Sequence, residues 1–320
     1  MRYLFFPLFC SISLLTYGQV IPNKPTNSLT KDSIKSTIDG NTQIFYYYKS
    51  TAKKKMPLIV QLHSWSYPVD SLRTRRVDIE AISNNYNYLF PNFRGVNNHI
   101  KACCSDYVIS DIDEAIDWAK KNMNVDINHI YIVGESGGGY ATLAMYMKSR
   151  HKIKAFSAWV PISDLGNWYQ ESVERKNKYA AEIIKCTTET DFFDSLNARE
   201  RSPLFWKTSV KKRKNSFIQI FTGIHDGYTG PVPISHSVNF YNKLLSDHGI
   251  SDSSLYVSKK DLDFMLNEQT YNVPFKLKIG DRTVYYQKRA KNIMLTIFEG
   301  GHEMLSKEVL VYIRHINGSR

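Results

Sequence analysis

The residue most suited to chemistry is Ser136, which lies in the run Gly-Glu-Ser-Gly-Gly at 134–138. A β-rich stretch, 129–133, precedes this run, and a helix-forming stretch, 140–145, follows it. A serine in a tight strand-to-helix turn needs nearly side-chain-free residues two positions before and after it, and both positions are glycine here. The helix would direct its N–H groups and positive dipole end at the serine. The pattern predicts a nucleophile for acyl transfer, and a glycine-rich structural turn is the alternative.

A serine nucleophile needs a base and a group that orients the base. Asp226 follows a predicted strand at 217–221, and His302 follows the last predicted strand, 294–298, in a Gly-Gly-His loop. Ligands of open α/β sheets bind at the carboxyl ends of the strands. We therefore expect Asp226 and His302 to reach Ser136 and to complete a Ser-His-Asp triad.

Other residues compete for the two supporting roles. Asp261 and Asp263 are further carboxylates, although neither follows an evident core strand. His225 adjoins the proposed acid, and His236 lies further along the same segment. Most isolated histidines and aspartates have no catalytic role, and that interpretation stays open for all of them.

The oxyanion formed in acyl transfer needs N–H donors. One donor in such a turn is the backbone N–H of the residue after the nucleophile, here Gly137. We expect the second donor in the run His-Ser-Trp-Ser at 63–66, which begins where a predicted strand ends. The N–H of Trp65 is the first choice and that of Ser64 the alternative, unless Trp65 only packs against the core.

Three residues are candidates for substrate contact. Trp159 and Trp168 belong to an aromatic and polar segment, 159–169, that follows a predicted strand, as in a sugar-binding wall or a lid. A packed helix start is the alternative. Arg94 follows the predicted strand 88–91 and would either bind an acidic group or brace a loop through a carboxylate.

The chain has 320 residues, enough for a large core, and an aromatic content of 13%, which suits a carbohydrate-handling surface. Its formal net charge of +12 favours acidic partners such as uronic-acid polymers. The basic runs 53–55 and 211–214 are short and carry no nucleic-acid motif, so we predict no nucleic-acid partner. We also predict no cofactor and no metal, because the histidines and cysteines lack ligand spacing.

Strand and helix patterns alternate from residue 43 onward, which predicts an α/β fold with a mostly parallel sheet between helices. The clearest helix is 111–122, with Ser110 as its N-cap. We expect a single domain over 43–320 with a helical insertion near 160–210 and a strand-containing one near 246–292. The predicted core strands are 43–48, 58–63, 88–91, 129–133, 155–159, 217–221 and 294–298.

The chain order Ser136, Asp226, His302 resembles that of α/β-hydrolases. The similar motifs are Gly-Glu-Ser-Gly-Gly-Gly-Tyr at 134–140, His-Asp-Gly at 225–227 and Gly-Gly-His at 300–302. More narrowly, residues 43–315 resemble the prolyl-oligopeptidase-like branch. The resemblance implies the α/β-hydrolase fold and an acyl-enzyme mechanism, but it does not identify a substrate. Ser64 departs from the pattern, since related enzymes more often have glycine there.

Two enzymatic hypotheses follow. The first is a secreted esterase that removes acetyl or hydroxycinnamoyl groups from polysaccharides, and the alternative is a prolyl-oligopeptidase-like serine peptidase. Peptidases of that branch normally carry a β-propeller before the hydrolase domain, and the sequence before residue 43 is too short for one. A silent ligand-binding hydrolase fold is a third reading, which an intact triad argues against.

The N-terminus predicts export. Arg2 precedes an apolar stretch at 3–15, and small residues allow cleavage after 18, so we predict a signal peptide over 1–18 and a periplasmic or secreted protein. The apolar stretch is too short to span a membrane. The polar segment 19–42 is predicted to be a tether.

The cysteines fit an oxidising compartment. Either Cys103 or Cys104 is expected to pair with Cys186, leaving one thiol free. A zinc site is the weaker alternative, because no Cys-x-x-Cys pattern is present.

Overall fold

A computed structural model describes residues 29–71, 77–272 and 277–318. The predicted signal peptide and residues 19–28 of the predicted tether lie outside these ranges. Within the ranges, no helix has both the length and the apolar character that a membrane crossing requires.

The strands described form a ten-stranded sheet in the order β1-β2-β4-β3-β5-β6-β7-β10-β9-β8. They are β1 (Thr30–Lys35), β2 (Thr42–Tyr48), β3 (Met56–Leu62), β4 (Asn87–Pro91), β5 (Val125–Glu135), β6 (Ala155–Trp159), β7 (Phe217–Gly223), β8 (Lys278–Ile279), β9 (Arg282–Ala290) and β10 (Ile293–Phe298). The six central strands, from β4 to β10, pair in parallel, whereas β1, β2, β8 and β9 pair antiparallel at the two sides. The carboxyl ends of the central strands therefore share one edge.

Helices cover both faces of this sheet. They are α1 (Asp78–Ser83), α2 (Asp106–Asn122), α3 (Gly137–Lys148), α4 (Leu165–Glu174), α5 (Tyr179–Thr187), α6 (Ser195–Glu200), α7 (Val210–Arg213), α8 (Ser235–Asp247), α9 (Lys259–Glu268) and α10 (Ser306–Gly318). Strand side chains alternate between the faces, so Leu58 and Val60 belong to one buried cluster and Ile59 to the other. Helices α2, α3 and α8 complete the first cluster, and α1 and α10 complete the second.

The predicted α/β class with a mostly parallel sheet is confirmed, and each predicted core strand overlaps an observed one. The tether prediction is wrong for residues 30–35, because these residues form β1 and pair with β2. This edge strand is exposed along nearly its whole length, with only Ile34 half-buried, and it therefore has no alternating hydrophobic pattern.

The predicted N-cap of α2 is also wrong. The helix begins at Asp106, and the Ser105 side chain accepts a hydrogen bond from the Val108 N–H. Ser110 lies inside the helix, where its hydroxyl donates to Glu114 Oε1 at 2.7 Å. Because the helix begins four residues before Ser110, that serine lies beyond the first turn, where the free N–H groups of a helix occur.

The helical insertion carries α4, α5, α6 and α7 and is tied to the body by a disulfide between Cys103 and Cys186. This resolves the predicted pairing in favour of Cys103. Cys104 remains a free, buried thiol, and burial raises its pKa.

Candidate active site

Ser136 occupies the tight turn between β5 and α3, with φ of 59° and ψ of −119°. Such a backbone is strained for any residue but glycine. The turn survives because its neighbours have no side chains: a Cβ at Gly134 would lie 2.2 Å from Gly138 O, and one at Gly138 would lie 2.2 Å from Leu62 O. The geometry presents Ser136 at the N-terminus of α3, at the carboxyl edge of the sheet.

The structure brings the three predicted triad residues together. Nε2 of His302 lies 2.7 Å from Oγ of Ser136, and its Nδ1 lies 2.7 Å from Oδ2 of Asp226. Asp226 is fully buried, while the His302 side chain is 18% exposed. The imidazole can therefore accept the serine proton on one nitrogen while the carboxylate accepts its other N–H.

Asp226 is held as an acceptor by the backbone that follows it. Its Oδ1 accepts hydrogen bonds from the N–H groups of Gly227 and Val232 at 3.0 and 3.1 Å. Gly230 closes this loop over the triad, since a Cβ there would lie 2.5 Å from the His302 Cβ. Sequence reasoning missed Gly230, because nothing local shows that the loop must pass this close to the histidine.

The two predicted oxyanion donors lie side by side. A Cβ at Gly137 would lie 2.4 Å from the backbone N of Trp65, so the loop after β3 touches the first turn of α3. Within the described part of the chain, neither the Gly137 N–H nor the Trp65 N–H has a protein acceptor. Both donors are therefore free to bind a developing oxyanion. Ser64 N–H is likewise without a protein acceptor in that part of the chain, so it stays the alternative.

His63 fixes the start of this loop, a role that sequence reasoning did not assign. Its Nε2 lies 2.7 Å from Asn92 O, and its ring stacks on Phe93 at 3.9 Å between centroids. Its Nδ1 lies 3.0 Å from Ser64 O, and burial lowers the pKa of the imidazole. The histidine joins the loop after β3 to the loop after β4.

Trp159 and Trp168 do not line a substrate wall, so that prediction is wrong. Both are fully buried. Trp159 stacks on Phe221 at 4.1 Å, and Trp168 packs edge-on against Trp65 at 4.8 Å and donates its indole N–H to Pro231 O. The alternative of ordinary packing holds, because the segment turns inward as it enters α4.

Arg94 is not available to a substrate either. Its side chain is 3% exposed, and its guanidinium forms ion pairs with Asp39 at 2.8 Å and Asp111 at 2.6 Å. It also donates to Ser36 Oγ. The arginine braces the loop after β4 against α2 and the turn after β1, as the second reading of the sequence held.

The rival acids and bases are engaged elsewhere. His225 contacts Gln269 Oε1 and Glu299 Oε1, both at 2.9 Å. The other three rivals are held by ion pairs or hydrogen bonds: His236 by Glu171, Asp261 by Tyr271 and Tyr286, and Asp263 by Lys259. Within the described ranges, no group of three or more His, Cys, Asp or Glu side chains is arranged to hold a metal.

Two exposed aromatic residues follow the site residues along the chain. Tyr67, two positions after Trp65, is 38% exposed, and Tyr228, two positions after Asp226, is 53% exposed. The Tyr228 hydroxyl donates to Leu266 O, just before the end of α9. Sequence reasoning preferred the tryptophans, because their segment is aromatic and polar and follows a predicted strand, and this pattern does not show which aromatic residues remain exposed.

The chain is similar to known hydrolases in sequence and in structure. Residues 75–274 match the model of the prolyl oligopeptidase family, Peptidase_S9. The acylaminoacyl peptidase of Pyrococcus horikoshii superposes with a TM-score of 0.60 at 18% identity, over 90% of this chain and 41% of that one. No curated protein matches the chain significantly in sequence.

Two further solved structures are similar. A puromycin-hydrolysing peptidase of Mycobacterium tuberculosis gives a TM-score of 0.55 at 15% identity, over 90% of this chain and 37% of that one. A ferulic acid esterase gives a TM-score of 0.54 at 13% identity, over 90% of this chain and 98% of that one. The chain thus spans about two fifths of the length of the two peptidases, and at these identities the similarity shows the fold alone.

Proposed function

Because the chain belongs to the prolyl oligopeptidase family and has the α/β-hydrolase fold, we propose that it is a serine esterase with Ser136 as its nucleophile. The observation that carries the proposal is the pair of 2.7 Å contacts that place His302 between Ser136 and Asp226. The order of the three groups is that of a general-base triad.

In the proposed reaction, His302 takes the proton of Ser136 while Oγ attacks the ester carbonyl. The N–H groups of Gly137 and Trp65 donate to the oxyanion. Collapse of the tetrahedral intermediate expels the alcohol, which receives the proton from His302. Water, deprotonated by the same imidazole, then attacks the acyl-enzyme and releases the acid and the free serine.

We further propose that the substrates are acetyl or hydroxycinnamoyl esters on polysaccharides. Exposed Tyr67 and Tyr228 support this substrate class, because aromatic side chains near a site offer flat apolar surfaces to a sugar or an aromatic acyl group. The net charge of +12 supports an acidic polymer. The names of two similar structures point to different substrates: one is an acylaminoacyl peptidase and the other a ferulic acid esterase. The names therefore do not decide between an ester and a peptide substrate.

Peptide hydrolysis is the second candidate, and one observation favours it. Family membership rests on 75–274, a range that includes Ser136 and Asp226, and the family is named for a peptidase. A triad that forms an acyl-enzyme from an ester also does so from an amide, provided that the leaving nitrogen is protonated.

Location in the periplasm or outside the cell, after removal of residues 1–18, is part of the proposal. The Cys103–Cys186 disulfide supports it, because such bonds persist mainly in oxidising compartments. N-terminal sequencing of the protein from its native host tests this location.

Hydrolysis of matched reporters tests the reaction. The purified protein should release nitrophenol from nitrophenyl acetate and ferulate from methyl ferulate, and it should leave prolyl and alanyl nitroanilides intact. Asp226→Asn should lower ester turnover by about 10³-fold or more, whereas the matched control Asp263→Asn, an exposed acid on α9, should not. Nitroanilide cleavage as the dominant Ser136-dependent activity would make the protein a peptidase.

A further inference from the structure

One stripe on the surface of helix α5 is joined to the catalytic body by polar and covalent contacts. Lys178, at its N-cap, Glu182 and Cys186 are spaced four residues apart, and residues at this spacing lie on the same side of a helix. Each of the three is joined to a segment outside the insertion, Lys178 and Glu182 by hydrogen bonds and Cys186 by a disulfide. The stripe is called the α5 clamp below.

The central tie reaches the residue that carries the proposed oxyanion donor. Oε2 of Glu182 accepts a hydrogen bond from the indole Nε1 of Trp65 at 2.8 Å. Trp65 is 1% exposed, and its indole also packs edge-on against Trp168 and Tyr179. A carboxylate acceptor makes a stronger hydrogen bond than a neutral one, so the bond fixes the rotation of the indole and, through it, the position of the Trp65 backbone.

The two flanking contacts join α5 to the loop after β3 and to the loop before α2. Nζ of Lys178 donates to Ser66 Oγ at 2.8 Å and pairs with Glu182 Oε1 at 3.1 Å. Cys186 forms the disulfide with Cys103, in the loop before α2. The insertion therefore contacts the loop after β3 at two consecutive residues, Trp65 and Ser66. The disulfide fixes the position of α5, the helix that makes these contacts.

We infer that Glu182 is a positioning residue for acyl transfer, which aims the Trp65 N–H at the oxyanion through the indole ring. The inference rests on the proposed function, because it assigns the Trp65 N–H as a donor. The helical insertion would then raise the rate of acyl transfer in addition to packing against the sheet domain. A donor displaced by about 1 Å loses much of its effect on the transition state, and a displacement of that size typically costs about 100-fold in rate.

A double-mutant cycle on ester turnover tests this inference. Trp65→Phe removes the indole N–H but keeps the backbone donor, and Glu182→Ala removes its acceptor. Each single change should lower kcat by about 10- to 100-fold with KM within about threefold, and the double variant should be no slower than the slower single variant. Multiplied losses in the double variant would show that Glu182 does not act through Trp65.

Two further variants separate positioning from folding. Glu182→Gln keeps an acceptor oxygen for the indole and should retain kcat within about threefold, whereas Glu174→Ala, an exposed acid on α4, should leave kcat and KM unchanged. Equal losses of kcat in Glu182→Gln and Glu182→Ala, with equal falls in melting temperature, would show a structural role only and overturn the inference.

The outcomes also distinguish this inference from the function on which it rests. If the protein has no turnover that depends on Ser136, both fail together. If Ser136-dependent turnover is present and Glu182→Ala leaves kcat unchanged, the esterase stands and the positioning role of Glu182 is wrong.

Discussion

The turn at Ser136 depends on Gly134 and Gly138, because a single methyl group does not fit at either position. A Cβ at Gly138 would lie 2.2 Å from the carbonyl oxygen of Leu62, in β3, and backbone atoms of a central strand cannot move aside. The strain of Ser136 is therefore held by the close packing of α3 on the sheet. This packing explains why a nucleophile at this place requires glycine beside it.

Gly138→Ala should lower the free energy of unfolding by about 1–3 kcal/mol, the usual cost of forcing a methyl group into a packed interior. Urea denaturation measures this change. Gly166→Ala is the matched control, because a Cβ there meets nothing nearer than a side-chain oxygen at 3.3 Å, and its effect should be within about 0.5 kcal/mol. Equal stability of the two variants would contradict the account of the turn.

Arg94 provides a second prediction at the scale of the residue. Arg94→Met should destabilise the protein by about 3–5 kcal/mol, because it leaves the carboxylate of Asp111 buried without its partner. The double variant Arg94→Met/Asp111→Leu should recover most of that loss. Thermal denaturation measures both variants, and KM should change in neither. A raised KM with unchanged stability would restore the substrate-binding role.

Some residues of the site could be predicted from the sequence, and others could not. Ser136, Asp226 and His302 each follow a strand, so their local context shows which edge of the sheet they reach. The burial of Trp159 and Trp168 depends on the path of distant segments, such as the loop that supplies Pro231. Local patterns carry no information on such contacts, so the aromatic and polar character of 159–169 was a poor guide to exposure.

At the scale of the element, the disulfide between Cys103 and Cys186 connects α5 to the loop before α2 across 83 residues of sequence. Closing a loop of this length restricts the unfolded chain and typically stabilises the folded state by about 4 kcal/mol. Cys186→Ser should accordingly lower the melting temperature, and a reductant should lower that of the native protein but not of the variant. A melting temperature of the native protein that is unaffected by complete reduction would contradict this.

Cys104→Ser is the matched control for the disulfide. The Cys104 thiol is buried beside the bridge but forms no bond to it, so the variant should keep the disulfide and its response to reductant. If Cys104→Ser instead loses that response, the native partner of Cys186 is Cys104.

The core strands were predictable because each is rich in apolar or aromatic residues. The boundaries were less so: β5 runs from Val125 to Glu135, well beyond the predicted 129–133, because polar Asp126 and Asn128 interrupt its first residues and only Val125 among 125–129 pairs with β3, before a register shift. The insertion was predicted as helical, and Cys186 was predicted to pair with Cys103 or Cys104, but the contacts of Lys178 and Glu182 in the α5 clamp were not predicted. These two contacts join residues that are distant in sequence, and only the folded chain brings them together.

At the scale of the whole molecule, acid should unfold the protein below about pH 4. Hydrogen bonding to Arg94 holds the pKa of Asp39 well below its usual value, and a hydrogen bond from Tyr285 lowers the pKa of Glu299. For four further carboxyl groups, desolvation by burial raises the pKa, but hydrogen bonds and neighbouring charged groups together outweigh it and lower the pKa: Asp117, Asp126, Asp247 and Asp261.

A pKa lowered by folding adds stability above the unfolded value, near pH 4, and this stability is lost as the pH falls through the folded value. Burial raises the pKa of Asp111, so this group has the opposite effect on stability, but the carboxyl groups with a lowered pKa are more numerous. The free energy of unfolding in urea should be nearly flat from pH 7 to 5 and should fall below pH 4. In Glu299→Gln, the free energy of unfolding should fall less steeply below pH 4. A free energy of unfolding that increased below pH 4 would contradict this account.

At the scale of the whole chain, the family match at 75–274 includes Ser136 and Asp226 but stops before His302. The proposed base therefore lies outside the matched range. Its place in the triad rests on the parallel register of β10 with β7, which puts Phe298 beside Gly223 and brings the two following loops together. The proposed nucleophile and acid thus lie within the matched range, and the position of the proposed base depends on this register.

Covalent labelling with a fluorophosphonate tests the central claim most directly, because the reagent reacts only with a serine whose base and oxyanion donors are in place. Mass spectrometry of the labelled protein should find one adduct, on the peptide that contains Ser136. Ser136→Ala should take up no label, and His302→Gln should take it up at least about 100-fold more slowly. A native protein that stays unlabelled, or that carries the adduct on another serine, would contradict the account.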